Sequence, residues 1–275
     1  MENVVVLIVG AGPAGLATAA CLTQFSIPYA IVEREDCIAS LWRKRAYDRL
    51  KLHLAKEFCK SFSGKSVLVI GSGNSGMEIA YDLATHGANT SIVIRSPIHV
   101  MTKELVRLGM TLAQHLPLNL VDNLLAMVTK FIFGDLSRHG IRMPKMGPMT
   151  LKSKTGRSAV IDVGTVGLIK RGIIQVQGSI SKIMGNIVKF QSGDEITFDA
   201  IVFATGYKST TNMWLKNGES MLNDIGLPTK EYPNHWKGEN GLYCAGLARR
   251  GLAGIAADAK NIADDIKSML GSMCG

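Results

Sequence analysis

The first pattern along the chain is an apolar run from Val4 to Val9, followed at once by a turn rich in glycine. A continuous apolar run of this length predicts a strand of a parallel sheet that is buried on both faces. A second apolar stretch extends to about Phe25 and predicts a helix, and Tyr29 to Val32 predicts a strand that ends at Glu33. Strand, turn, helix and strand in this order predict the beginning of a βαβ unit.

The same pattern recurs further along the chain. Val67 to Ile70 predicts a strand, a second glycine-rich turn follows it, and a helix is predicted to about His86. Thr90 to Ile94 then predicts another strand. Two such units predict the α/β fold class, with two Rossmann-like dinucleotide-binding units in one chain.

The rest of the chain predicts shorter elements. Helical patterns between Lys103 and Phe133 are interrupted at Pro117, and Ile173 to Phe198 predicts short strands joined by tight turns. Three further elements are predicted near the end, namely a buried strand from Ala200 to Ala204, a short strand from Gly241 to Ala245 and a closing helix from Gly254 to Leu270.

Two stretches are apolar enough to raise the question of a membrane span. Val4 to Val32 has no charged residue, but glycines and a proline lie in its middle and no basic segment precedes it, so a signal peptide is not indicated. Leu116 to Phe133 is interrupted by Asn119, Asp122, Asn123 and Lys130, which favours an amphipathic helix of a soluble protein. We therefore expect no transmembrane segment.

Composition narrows the class of protein. The chain has 275 residues, is 47% hydrophobic and has a formal net charge of +9. Its densest basic clusters, Arg43 to Arg45 and Lys152 to Arg157, are typical of solvated loops and accompany no nucleic-acid-binding module, so no nucleic acid partner is expected. The five cysteines form no C-x-x-C pair and the six histidines have no ligand spacing, so no metal site is expected. The cysteine pattern fits a reducing, cytoplasmic location.

The first glycine-rich turn has the spacing of a phosphate-binding loop. Its residues are Gly10, Ala11, Gly12, Pro13, Ala14 and Gly15. The first glycine permits the tight turn, the second lets a pyrophosphate approach the backbone, and the third lets helix and strand pack closely. Glu33 at the end of the second strand is placed to accept both ribose hydroxyls, which favours FAD or NAD. The alternative is a glycine-rich turn of an unrelated α/β protein.

The second turn repeats this spacing with a different partner. Its residues are Gly71, Ser72, Gly73, Asn74, Ser75 and Gly76. Arg95 follows the second strand of this unit, Thr90 to Ile94, and an arginine at this place is suited to a 2′-phosphate. The second turn therefore predicts a site for NADPH, with an ordinary surface charge as the alternative interpretation of Arg95. Together, the two turns predict a flavin that is reduced by NADPH.

Two later stretches point to a family. Phe203 to Tyr207 reads FATGY after a predicted strand, and Gly241 to Gly246 precedes the segment from Arg250 to Ala259 and the last helix. With GAGPAG and GSGNSG, they resemble the class B flavin-dependent monooxygenases, and the plant YUCCA-type branch in particular. Ser40 to Cys59 and Gly147 to Val176 also resemble that branch.

The resemblance implies FAD, NADPH and O2 as cofactors and co-substrate. It further implies a small 2-oxo acid substrate, indole-3-pyruvate, which is converted to indole-3-acetic acid in auxin biosynthesis through a C4a-(hydro)peroxyflavin. The expected location is the cytoplasm, with the surface of the endoplasmic reticulum as the more specific alternative. The resemblance assigns no catalytic side chain here. A flavin disulfide reductase is a competing interpretation, but the expected C-x-x-C is absent from the sequence.

The chain departs from the family pattern after Cys59. In the family a long stretch separates the sequence LAKEFC from FSGKSVLVIG, whereas here Lys60 and Ser61 alone separate them. The resemblance therefore implies an internally shortened chain, through an alternative transcript, an error in the gene model or a genuine deletion. We predict an FAD domain split into residues 1–60 and 208–275 around an NADP domain of residues 61–207, with the centre of the FAD sheet missing. The alternative function is a catalytically impaired, nucleotide-binding remnant.

Overall fold

A computed structural model describes residues 5–44, 59–247 and 249–273. The described residues divide into two compact units, one of residues 5–44 and 207–273 and the other of residues 59–206. The predicted domain limits of 1–60, 61–207 and 208–275 stay a prediction, because residues 45–58 lie outside the described residues. Arg45 of the first basic cluster and His53, one of the six histidines, belong to that stretch and so lie outside the described residues.

The unit of residues 59–206 contains a four-stranded parallel sheet. Its strands are β3 (Ser66–Ile70), β4 (Asn89–Val93), β7 (Ile174–Gln177) and β11 (Ala200–Phe203), and their order is β11-β3-β4-β7. Val67, Leu68 and Val69 of the central strand β3 are fully buried, as the apolar run predicts for a strand covered on both faces. Helix α3 (Asn74–Thr85) crosses from β3 to β4 and buries Met77, Ala80 and Leu83 against one face of the sheet.

A small antiparallel sheet covers the other face. Its strands are β8 (Ile180–Met184), β9 (Ile187–Phe190) and β10 (Glu195–Thr197), and β9 lies in the middle. Val188 and Phe190 of β9 pack with Leu68 and Val93 of the parallel sheet. The short strands predicted between Ile173 and Phe198 are confirmed.

A mostly helical segment connects β4 to β7. Its elements are β5 (Val100–Met101), α4 (Lys103–Leu112), α5 (Leu118–Phe133), a 3-10 turn (Leu136–His139), α6 (Pro148–Thr155), β6 (Val160–Ile161) and α7 (Thr165–Lys170). Pro117 precedes α5 directly, so the predicted interruption is confirmed. Buried Met101, Leu105, Val121 and Leu125 form the core of this segment. No helix among the described residues is both long and apolar enough to cross a membrane.

The other unit is built on a much smaller sheet. Strands β1 (Val6–Val9) and β2 (Tyr29–Val32) form a parallel pair, followed by helix α2 (Ser40–Lys44). Helices α1 (Pro13–Gln24) and α8 (Gly251–Met273) pack against each other, and their core includes Leu22, Ile262 and Ile266. A 3-10 turn (Thr211–Met213) lies in the segment before α8.

Two sequence predictions for this unit are wrong. Strand β1 is not buried on both faces, because Leu7 is 62% exposed and Val9 is 50% exposed. The physical reason is that, among the described residues, β1 has one neighbouring strand and apolar cover from one side. Gly241 to Ala245 forms no strand either; an isolated bridge between Lys237 and Tyr243 takes its place.

Candidate nucleotide-binding sites

The first glycine-rich turn joins β1 to α1. Gly10 has a φ of +98°, which side chains with a Cβ rarely adopt. A Cβ added at Gly15 would lie 2.0 Å from the carbonyl oxygen of Gly10, so this contact between helix and strand requires glycine. At Gly12, by contrast, no described atom lies within 4 Å of the position of an added Cβ. The turn therefore encloses open space at its middle glycine, where a pyrophosphate would lie.

The beginning of α1 is suited to an anion. Helix α1 starts at Pro13 after Gly12, no side chain of the described residues caps it, and its first turn contains no acidic residue. The free backbone N–H groups and the positive end of the helix dipole then favour a phosphate. Ala14 lies beside Gly246, since a Cβ added at Gly246 would come within 3.4 Å of the Ala14 side chain.

Glu33 follows β2 directly, as the sequence predicts. Its Oε2 accepts a hydrogen bond of 2.6 Å from the backbone N–H of Ala11, and its Oε1 accepts one of 3.0 Å from the N–H of Glu35. These backbone hydrogen bonds, first that from Glu35 and then that from Ala11, lower the pKa of Glu33 below its ordinary value of 4.5. The carboxylate is therefore charged at neutral pH, and each oxygen keeps a second lone pair for a ribose hydroxyl.

The second turn joins β3 to α3 and has the same geometry. A Cβ added at Gly76 would lie 1.8 Å from the carbonyl oxygen of Gly71, and one added at Gly71 would lie 2.3 Å from that of Ala204. At Gly73 no described atom lies within 4 Å of an added Cβ. Helix α3 begins after Gly73 without a side-chain cap among the described residues and without an acidic residue in its first turn. The predicted residues Ser72 and Ser75 lie within this turn and the first turn of α3.

Asn74 has a structural contact that the sequence does not predict. Its Oδ1 accepts a hydrogen bond of 2.8 Å from the backbone N–H of Ile161 in β6. Asn74 therefore connects the second turn to the end of the helical segment, and that segment helps to hold the turn in place.

Arg95 follows Ile94, two residues beyond the end of β4, and it is exposed. Its backbone carbonyl accepts a hydrogen bond of 3.0 Å from Nη2 of Arg142. The guanidinium of Arg142 thus lies beside the backbone of Arg95, although the two residues are 47 positions apart in the sequence. Sequence reasoning missed Arg142, because no local pattern places a residue of the helical segment beside the end of β4.

A buried pair in the other unit was also missed. Nε2 of His235 and Oδ1 of Asp258 lie 2.9 Å apart, and both side chains are 2% exposed. The other carboxylate oxygen of Asp258 accepts a hydrogen bond of 2.9 Å from the N–H of Gly246. Because Gly246 lies beside Ala14, Asp258 positions the segment next to the first glycine-rich turn.

Two of the four described cysteines, Cys59 and Cys244, are not poised for redox chemistry. Burial raises the pKa of the Cys59 thiol to about 11 and that of the Cys244 thiol to about 12. Both thiols are therefore protonated at neutral pH, whereas a disulfide reductase needs a reactive thiolate. Within residues 5–44, 59–247 and 249–273, no group of three or more His, Cys, Asp or Glu residues could hold a metal ion.

Comparison with known proteins gives a consistent result. Residues 48–249 match the family model described as flavin-binding monooxygenase-like. The chain is 41% identical to "Probable indole-3-pyruvate monooxygenase YUCCA10" of Arabidopsis thaliana, with 99% of each chain covered. It is 35% identical to "Probable indole-3-pyruvate monooxygenase YUCCA9" of the same plant, with 94% of this chain and 88% of that protein covered.

Two solved structures share the fold at low sequence identity. A flavin monooxygenase mutant from Stenotrophomonas maltophilia has a TM-score of 0.63 at 13% identity, covering 98% of this chain and 100% of that one. A thioredoxin reductase from T. acidophilum has a TM-score of 0.55 at 15% identity, covering 96% and 98%. At these identities the likeness shows the fold alone.

The alignment with YUCCA10 also measures the shortening. It extends over 381 positions, whereas this chain has 275 residues, so at least 381 minus 275, or 106, aligned positions have no residue here. Because the alignment covers 99% of both chains, these positions lie within the chain and not at its ends. The predicted internal shortening relative to the family is confirmed.

Proposed function

We propose a function from one premise, which is that this chain belongs to the flavin-binding monooxygenase-like family. The function is that of a monooxygenase that uses FAD, NADPH and O2. The observation that carries it is the pair of glycine-rich turns with the same geometry and with opposite charges, Glu33 and Arg95, after the second strand of each unit.

The first turn is proposed as the FAD site. The open space at Gly12 and the uncapped beginning of α1 would hold the pyrophosphate. Glu33 would accept the ribose hydroxyls and would repel a 2′-phosphate. Asp258 supports this site indirectly, because it holds Gly246 beside Ala14.

The second turn is proposed as the NADPH site. The open space at Gly73 would hold the pyrophosphate, and Arg95 would pair with the 2′-phosphate. Arg142 adds a second positive charge beside Arg95. When bound, FAD and NADPH supply the hydride transfer and the oxygen activation, and the protein supplies their positions and excludes water.

The proposed substrate is a small 2-oxo acid, indole-3-pyruvate, with indole-3-acetic acid as the product. The support is that the relatives at 41% and 35% identity are named as probable indole-3-pyruvate monooxygenases. The proposed location is the cytoplasm, at the surface of the endoplasmic reticulum. No nucleic acid partner is proposed.

A second candidate function is that of a catalytically impaired remnant that binds nucleotide. It is favoured by the two-stranded β1–β2 sheet, whose outer face exposes Leu7, Val9 and Val32. The at least 106 missing positions support the same interpretation. A flavin needs its ring enclosed as well as its phosphates bound, so a reduced unit should weaken FAD more than NADPH.

One set of measurements separates the two candidates. The chain is purified, its visible flavin absorbance is recorded and its binding of NADPH is titrated by calorimetry. NADPH oxidation and indole-3-acetic acid formation are then followed with added FAD and indole-3-pyruvate. Bound flavin with product formed in proportion to NADPH consumed would support the active monooxygenase. NADPH binding without flavin and without product would support the impaired remnant, and binding of neither nucleotide would contradict both.

A further inference from the structure

The outer face of helix α5 is apolar. Leu120 is 54% exposed, Leu124 37%, Met127 65% and Phe131 90%. Spacings of four, three and four residues place these side chains on one side of a helix. We call these four residues the outer stripe. An amphipathic helix of a soluble protein was expected here, but its solvent side is apolar where a polar face is usual.

Helix α5 cannot rotate to hide the outer stripe, because its opposite side is anchored. Val121, Leu125 and Phe133 are buried on that side. Asp122 is also buried there, and its carboxylate accepts hydrogen bonds of 2.7 Å and 3.1 Å from the backbone N–H groups of Met149 and Thr150 at the beginning of α6. Releasing this side would expose three apolar side chains and leave backbone donors without their partner.

The helical segment that carries the outer stripe is strongly basic. Residues 103–157 contain nine Lys or Arg residues and three Asp or Glu residues, a net charge of +6 out of +9 for the whole chain. Lys130 lies on the exposed surface of α5, Lys103 and Arg107 are exposed on α4, and Lys154 is exposed on α6. Asp122, the one acidic residue of α5, is buried.

We propose that the outer stripe of α5 binds the surface of an anionic lipid bilayer, with exposed lysines and arginines of the same segment paired with lipid phosphates. The apolar face and the basic surroundings together are the pattern of a helix that lies in the interface plane. A helix of 16 residues is about 24 Å long, which is shorter than the apolar core of about 30 Å, so α5 lies on the bilayer and does not cross it.

A second copy of the chain is the less favoured occupant. Two outer stripes in contact would bring two segments of net charge +6 together, and like charges in close contact disfavour association. A bilayer with anionic headgroups offers both an apolar interior and the opposite charge. The inference rests on the helical segment alone and is independent of the proposed catalytic activity.

The test is sedimentation of the full chain with lipid vesicles. Vesicles of phosphatidylcholine with phosphatidylserine are compared with vesicles of phosphatidylcholine alone, for the unchanged chain and for Phe131→Glu, Met127→Glu and Leu7→Glu. Leu7 is the matched control, because it is a similarly exposed apolar residue on the outer face of β1. Circular dichroism checks that each variant is folded, and Met127→Glu serves if Phe131→Glu is not.

We expect binding to the anionic vesicles that weakens as salt is raised, and about a tenfold or greater loss of partitioning for the two stripe variants. Leu7→Glu should bind like the unchanged chain. Absence of binding, equal binding to both kinds of vesicle, or an equal loss with Leu7→Glu would overturn the proposal. A dimer in gel filtration that dissociates in Phe131→Glu would show that a second copy occupies the stripe instead.

Discussion

The carboxylate of Glu33 accepts a hydrogen bond of 2.6 Å from the backbone N–H of Ala11. This contact joins the end of β2 to the middle of the first glycine-rich turn, across 22 residues of sequence. The residue predicted to bind a ribose therefore also holds the turn that would bind the phosphates. Its two roles can be separated, because one concerns the folded chain alone and the other needs the nucleotide.

Glu33→Gln should change how stability depends on pH. Since the pKa of Glu33 is lowered in the folded chain, its charged form stabilises the fold above the ordinary value of 4.5, and that contribution is lost as the pH falls through the folded pKa. The variant should lose about 1 kcal/mol in the free energy of unfolding at neutral pH, a small loss because the site is partly exposed. Its free energy of unfolding should also fall less steeply as the pH is lowered. Urea unfolding over a pH series measures both, with the exposed Glu219→Gln as control.

Arg95→Ala should weaken NADPH much more than NADH. A charge-assisted contact to a phosphate is worth about 1.5–3 kcal/mol, so the dissociation constant for NADPH should rise about tenfold to a hundredfold. Calorimetric titration with the two nucleotides measures the difference. Arg171→Ala removes the same charge from the end of α7 and should change neither affinity. Equal losses for NADPH and NADH in Arg95→Ala would contradict the assignment of Arg95.

Gly12→Val should reduce FAD binding and leave NADPH binding largely intact. The valine side chain would enter the open space at the middle of the first turn, where the pyrophosphate is expected, and its Cβ would have no described atom within 4 Å. FAD affinity is measured by quenching of flavin fluorescence and NADPH affinity by calorimetry. A parallel loss of both nucleotides would show that the two turns do not act as separate sites.

Gly76→Ala and Gly73→Ala should differ in kind. At Gly76 the added Cβ would lie 1.8 Å from the carbonyl oxygen of Gly71, so helix α3 and strand β3 would have to separate. We expect a loss of about 3 kcal/mol or more in the free energy of unfolding. At Gly73 the added Cβ meets open space, so stability should change by less than about 1 kcal/mol while NADPH binding weakens. Thermal unfolding and NADPH titration of both variants test this pair.

Restoring the missing segment should restore the flavin. We expect the present chain to bind NADPH measurably and to hold FAD poorly, because no described residue covers the exposed Leu7, Val9 and Val32 of β1 and β2. A chain carrying the corresponding segment of the YUCCA10 relative after Cys59 should regain flavin absorbance and product formation together. An insert of the same length made of glycine and serine is the control. Tightly bound, stoichiometric FAD in the present chain would contradict this expectation.

The sequence by itself determined the two βαβ beginnings and the residues of both glycine-rich turns. These features are local, because within each unit the apolar runs, the glycine spacing and the residue after the second strand all lie within about 30 residues of each other. The steric constraints at Gly15 and Gly76 are local as well, because each glycine faces the carbonyl oxygen of a glycine in the same turn. The family was also readable, since its motifs are short and contiguous.

Only the tertiary structure decided which apolar residues are covered. The run at β1 resembles that at β3, yet Leu68 is fully buried and Leu7 is 62% exposed, because burial depends on the strands and helices supplied from elsewhere in the chain. Arg142 beside Arg95 and Asp258 beside Gly246 were hidden for a related reason. Hydrophobic burial and long-range hydrogen bonds join distant segments, so a pattern along the chain identifies an apolar face but not what packs against it.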